Sequence, residues 1–102
     1  MKPDTLAHPP TFELSDGVLS LSGDIVIASV PGIEKQLLTS LKNTKTLDLS
    51  EAMRIDSAGL ALFISLFEFA RQNGQQIALN NVPESLVKLS KLSSAESLLG
   101  LQ

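Results

Sequence analysis

This sequence has no cysteine, no tryptophan and no tyrosine, and its single histidine is His8. Without cysteine there are no disulfides, no thiolate nucleophiles and no zinc–sulfur sites. The four aromatic residues are all phenylalanine, so the core has to be aliphatic. There is no run of basic residues, and the formal net charge is −3. A nucleic-acid-binding chain would be expected to carry a Lys/Arg face, and so would one held electrostatically on anionic lipid. The longest apolar run, Leu60–Ile64, is far short of the ~20 residues a membrane span needs. Any membrane role would therefore come through a partner. The six glycines are scattered singly, with neither a Walker lysine nor a phosphate loop, so nucleotide hydrolysis is not expected.

The chain has 102 residues, of which 43% are hydrophobic and 19% charged, the balance of one small globular domain with one core. The first ten residues, Met1–Pro10, contain three prolines and no apolar h-region. They read as a flexible leader over residues 1–10 rather than a signal peptide, with a single domain over 11–102. His8 falls in that leader, where a general base would be poorly held.

From Thr11 onward the chain alternates strand and helix periods. Thr11–Ser15 and Val18–Ser22 alternate around Asp16-Gly17, the signal of a β-hairpin. Gly23-Asp24 closes the second strand, and Ile25–Ser29 is too short an apolar run to assign beyond loop or strand extension. Pro31 suits the first turn of a helix over 31–42, in which Ile33, Leu37, Leu38 and Leu41 recur at helical spacing. Lys45–Leu49 reads as a central strand. A second helix spans about 58–73, with Gly74 as its stop. Gln76–Asn80 is a further strand, residues 83–93 a third helix, and Ala95–Leu99 a last turn. The order β-β-α-β-α-β-α implies an α/β domain: a small, mixed, mostly parallel four-stranded sheet flanked by helices. Leu21, Leu37, Leu47, Leu49, Phe63, Phe67 and Ile77 are its expected core.

The most informative stretch is Ile55-Asp56-Ser57-Ala58-Gly59-Leu60, where a strand hands over to the second helix. Such junctions expose backbone N–H groups and a positive helix end. At about 100° per residue, Ser65, Glu68, Arg71 and Gln72 fall within one third of the helix circumference. The apolar residues spread over the remainder, a wider arc than a one-sided surface helix needs. Either the helix packs on the sheet and on a neighbouring helix, or one flank stays open for a partner. That flank would be the side Ser57 shares with Ala61, Ile64 and Glu68.

Catalytic material is thin. Asp48 and Asp56 bracket the loop after the central strand and could suggest a carboxylate pair. Asp48, however, alternates with Leu47 and Leu49, and Asp56 stands where a capping carboxylate belongs. Ser57 suits helix capping, a partner's contact or phosphorylation. A phosphate there would meet a favourable helix dipole and an unfavourable neighbour in Asp56.

The segments Val18–Asp24, Leu47-Asp48-Leu49-Ser50, Ile55–Leu60 and Ala70–Gly74 together resemble the STAS family, named for sulfate transporters and anti-sigma factor antagonists. The resemblance covers nearly everything from Phe12 to Leu99, and its core is the Asp-Ser-x-Gly-Leu junction at Asp56–Leu60. It implies a non-enzymatic interaction module without catalytic residues, cofactor or metal. Two subfamilies fit. In anti-sigma factor antagonists the serine of this motif, here Ser57, is phosphorylated by a partner anti-sigma kinase. In the STAS subunit of Mla-type (maintenance of lipid asymmetry) phospholipid ABC transporters of Gram-negative bacteria, the hydroxyl at this position is a docking contact for the ATPase subunit. Leu60-Ala61-Leu62-Phe63 directly after the glycine, and the Leu-rich stretch from Leu86 onward, resemble the transporter subunit more closely. The resemblance then implies an ATPase partner, no nucleic acid, and a cytoplasmic protein peripheral to an inner-membrane permease complex. Its implied partner surface is Asp56, Ser57, Ala58, Gly59, Ala61, Ile64 and Glu68. One departure stands out: after Gly23 the family's acidic-apolar-acidic run becomes Asp24-Ile25-Val26-Ile27, with no second carboxylate.

Overall fold

The structure is a computed structural model that describes residues 8–101. Most of the expected leader, residues 1–7, lies outside the described residues. Among the described residues the elements follow in order: β1 (Thr11–Ser15), β2 (Val18–Ile25), α1 (Val30–Ser40), a 3-10 turn (Leu41–Asn43), β3 (Thr46–Ile55), α2 (Ser57–Gln72), β4 (Ala78–Asn80), α3 (Glu84–Leu92) and a second 3-10 turn (Ser97–Leu99). The strands form one sheet in the order β1-β2-β3-β4. β1 and β2 are antiparallel, whereas β2–β3 and β3–β4 are parallel, so the sheet is mixed and mostly parallel as the element order implies.

The hairpin turns on Asp16 and Gly17, whose φ values of 51° and 80° are those of a two-residue turn matched to strand twist. Two strand boundaries differ from the sequence reading. β2 runs through Gly23-Asp24 to Ile25, and β3 runs on past Leu49 to Ile55, because the two pair in parallel as far as Ile25 opposite Ile55. Gly23, at φ 84°, sits inside that ladder as an irregularity rather than ending the strand. β4 is correspondingly shorter than expected, since Gln76 and Ile77 make no ladder pairing with β3.

One face of the sheet carries the core. Leu19, Leu21, Leu47 and Leu49 are buried there against Ile33 and Leu37 of α1, Leu62, Phe63 and Leu66 of α2, and Leu86 of α3. The opposite face is polar: Glu13, Ser20, Asp48 and Asn80 fall opposite one another across the four strands, exposed or half-buried. Five of the seven expected core residues are fully buried; Phe67 and Ile77 are only partly so. α2 packs against α1, α3 and the second 3-10 turn, and Phe67 stays only partly buried.

Candidate functional site

The junction between β3 and α2 is built by one carboxylate. Asp56 is the N-cap of α2, with extended backbone, and its Oδ1 accepts the N–H groups of Ala58 at 2.9 Å and Gly59 at 3.0 Å. These are two of the orphan donors that every helix start leaves. The other oxygen, Oδ2, accepts the N–H of Ile27 at 3.0 Å, from the loop between β2 and α1. One side chain thus starts the helix and fixes the neighbouring loop beside it.

Gly59 completes the junction. A Cβ at this position would lie 2.2 Å from the carbonyl oxygen of Ile25 and 2.9 Å from Cγ2 of Ile55. The first turn of α2 therefore rests directly on the end of β2, and only glycine permits that approach.

Because Asp56 does the capping, Ser57 does not. It is the first residue of α2, it is exposed, and its hydroxyl makes no hydrogen bond among the described residues. The cap is Asp56, as its position in the sequence implies, and of the three roles open to Ser57 helix capping drops out. Ala58 is half-buried beside it and Gly59 buried beneath it. One turn on, Ala61 is exposed, while Ile64 and Glu68 are half-buried further along the same side. Glu68 is held by an ion pair with Arg71.

Two residues at this end of the molecule gave no signal in the sequence. Ile27 is 73% exposed and Met53 is 52% exposed, although both are large and apolar. Ile27 stands beside the helix start because its own N–H is bound by Asp56. Neither stands in a periodic pattern, and only the tertiary structure shows them facing outward.

Asp24 anchors the same region from inside. Its side chain is fully buried, with the Arg54 guanidinium 3.5 Å from Oδ2 and the Arg54 N–H donating to Oδ1 at 3.3 Å. His8 approaches as well: its Nδ1 is 3.9 Å from Asp24 Oδ1, and its carbonyl accepts the Asp24 N–H at 2.8 Å. The carboxylate that survives the departure after Gly23 is thus a structural anchor for the end of β3.

Asp48 and Asp56 do not form an acid–base pair, for they share no partner. Asp48 accepts the Asn81 amide at 2.7 Å and both the hydroxyl and N–H of Ser50. The Asn81 amide, followed by the Ser50 donors, holds the Asp48 carboxyl below the usual carboxylate value. Among the described residues no group of three or more His, Asp or Glu side chains is placed to hold a metal.

The junction thus presents a capped helix start, a free hydroxyl and flanking apolar side chains. The family described as Mlab, STAS domain matches residues 10–100. The chain belongs to the STAS family. One relative is the intermembrane phospholipid transport system binding protein MlaB of Escherichia coli (strain K12), 30% identical over 74 residues, 72% of this chain and 76% of that one. Another is the anti-sigma-B factor antagonist of Bacillus subtilis (strain 168), 22% identical over 89 residues, covering 85% of this chain and 82% of that one. Among solved structures, an anti-sigma factor antagonist from Mycobacterium paratuberculosis superposes with a TM-score of 0.59 at 21% identity, covering 97% of both chains. The phosphorylated form of the Bacillus cell fate determinant SpoIIAA gives a TM-score of 0.64 at 14% identity, covering 87% of this chain and 86% of that one. At these identities the structures establish the STAS fold and nothing finer. Among the described residues of this STAS domain, no helix is long and apolar enough to cross a membrane.

Proposed function

We propose that this STAS chain is a non-enzymatic docking subunit that binds the ATPase of a phospholipid-transporting ABC complex of the Mla type, at the cytoplasmic face of a Gram-negative inner membrane. The observation that carries this reading is the division of labour at the helix start. Asp56 satisfies the helix, which leaves the exposed Ser57 hydroxyl without an internal role. The partner surface is centred on Ser57 and Ala61, with Ala58, Ile64 and Glu68 on the same side of α2. Asp56 and Gly59 set its geometry, and Ile27 supplies apolar area beside it. The 30% identity to a binding protein named for intermembrane phospholipid transport supports this choice of partner.

The test is co-purification of the chain with its ATPase. Ser57→Thr keeps a hydroxyl in nearly the same place and should preserve the complex. Ser57→Arg buries an unpaired charge at the interface, which costs about 2–5 kcal/mol, and should abolish it. Neither change should move the unfolding midpoint. A complex that forms normally with Ser57→Arg would remove Ser57 from the interface.

A second reading rests on the same free hydroxyl: an anti-sigma factor antagonist switched by phosphorylation of Ser57 by an anti-sigma kinase. The 22% identity to an anti-sigma-B factor antagonist supports it. Stoichiometric phosphate on Ser57, found by mass spectrometry of protein from its native cell, would replace the transporter reading with this one.

A further inference from the structure

The end of α2 remote from Ser57 opens into a cleft. Fourteen residues separate Ser57 from Arg71, which at 1.5 Å per residue is about 21 Å along the helix. The cleft encloses about 530 Å³ between the last turns of α2, the segment entering β4 and the C-terminal 3-10 turn. That volume lies within the range of small-molecule sites.

Its walls have two characters. Phe67, Ile77 and Leu98 supply the apolar part. Phe67 and Ile77 are the two of the seven expected core residues that the fold leaves only partly buried, and Leu98 is 49% exposed. Two basic residues, Lys45 and Arg71, are also among its lining residues. Lys45 makes no ion pair among the described residues, and Arg71 pairs with Glu68 through Nη2, which leaves its Nη1 and Nε without a partner among the described residues. Gln76 and Ile77, which also line it, have N–H groups with no backbone acceptor among the described residues. Apolar wall, two cations and these N–H groups together match one ligand chemistry.

We infer that this cleft binds a single-chain amphiphilic anion, its carboxylate or phosphate head between Lys45 and Arg71 and its short alkyl tail on Phe67, Ile77 and Leu98. The site is independent of Ser57 and of the docking role proposed for it. Charge selects the head, because an anion gains pairing with Lys45 and Arg71 that a neutral head cannot make. The apolar wall fixes the tail, because a bare inorganic anion would leave those three side chains wet.

The inference is tested on the full chain, labelled with nitrogen-15 and followed by amide chemical shifts. Octanoate and octyl phosphate, each below its micelle concentration, should shift the amides of Gln76, Ile77 and Leu98 along one saturating curve. The tighter of the two identifies the head group. Octanol and inorganic phosphate should each bind at least about tenfold more weakly, a difference of about 1.4 kcal/mol. The double variant Lys45→Ala/Arg71→Ala, at two exposed positions, should weaken octanoate or octyl phosphate by about tenfold, with unchanged shifts around Ser57. Ser57→Arg should bind both anions like wild type, so failure of the docking reading leaves this result intact. Non-saturating shifts, equal binding of octanol, or full binding by the double variant would each overturn the inference. So would tighter binding of an acidic peptide at the same amides, which would make the cleft a protein-docking site.

Discussion

The Asp56 carboxylate accepts the backbone N–H of Ile27 at 3.0 Å, across 29 positions of sequence, while its other oxygen caps α2. The two oxygens have different jobs, and substitutions can separate them. Asp56→Ala removes both and should destabilise the fold by about 1–2 kcal/mol, the usual cost of a lost N-cap. Asp56→Asn keeps a cap acceptor but can present an NH₂ group to the Ile27 N–H, so donor faces donor. It should cost less in urea unfolding than Asp56→Ala, yet speed hydrogen exchange at Ile27 as much. Ser57→Ala should leave stability within about 0.5 kcal/mol, as expected of a surface residue with no partner. A Ser57→Ala loss equal to that of Asp56→Ala would return the cap to the serine.

Gly59→Ala sets two effects against each other. Helix propensity favours alanine over glycine by about 0.8–1 kcal/mol in a helix interior. Against this, the new Cβ would lie 2.2 Å from the Ile25 carbonyl oxygen, a backbone atom at the end of a paired strand. Relief requires α2 to move off the sheet, and such overpacking typically costs about 1–3 kcal/mol. The net should be destabilising, seen as a lower unfolding midpoint and as shifted amides at Ile25 and Ile27. A more stable Gly59→Ala protein would show that α2 can ride outward freely.

Phe63 and Phe67 stand one helical turn apart but differ in burial: Phe63 is fully buried, whereas Phe67 is half-buried. Phe63→Ala should cost about 3–5 kcal/mol, a large part of the ~5–15 kcal/mol available to a domain of this kind. Phe67→Ala should cost distinctly less, because part of its surface already meets water. Equal losses in chemical denaturation would mean that the cleft beside Phe67 is closed in solution.

These contrasts also show how far the sequence reaches. The alternation around Asp16-Gly17, the spacing of Ile33, Leu37 and Leu41, and the long apolar period of α2 are local signals, and each yields its element within a residue or two. Asp56 and Ser57 fall at the helix start for the same local reason. The end of β2 is different: Gly23-Asp24 has the composition of a turn, and only pairing with β3 carries the strand through it. Glu51, Ala52, Met53 and Arg54 show no alternation, so the second half of β3 was illegible without its neighbour. Ile27 and Met53 look like core by type, and nothing local reports that they face outward. The bond from Asp56 to Ile27 joins two loops that only the fold brings together. Phe67 and Ile77 show the converse limit: periodicity identifies the inward side of an element but not how far its neighbours extend over it.

Asp48 makes acid stability a test of one side-chain cluster, Asp48 with Ser50 on β3 and Asn81 just after β4. Its carboxyl is held below the ordinary value of 3.8, first by the Asn81 amide and then by the Ser50 donors. A carboxylate whose pKa is depressed by folding stabilises the folded state at pH above its unfolded value. That contribution fades as pH falls from the unfolded value through the depressed folded one. Stability should therefore decline below about pH 4, part of the decline coming from this cluster. Asn81→Ala removes the leading cause and should raise the Asp48 pKa toward its ordinary value, read directly from the carboxyl carbon shift in an NMR titration. The variant should also lose less stability on acidification than wild type, because less of the contribution remains to be lost. Asn81 has φ 55°, so the substitution strains the backbone as well and lowers stability at neutral pH. The diagnostic is therefore the change between neutral and acid pH rather than the absolute midpoint. An Asp48 carboxyl that titrates identically in wild type and variant would show that the Asn81 amide does not hold it in solution.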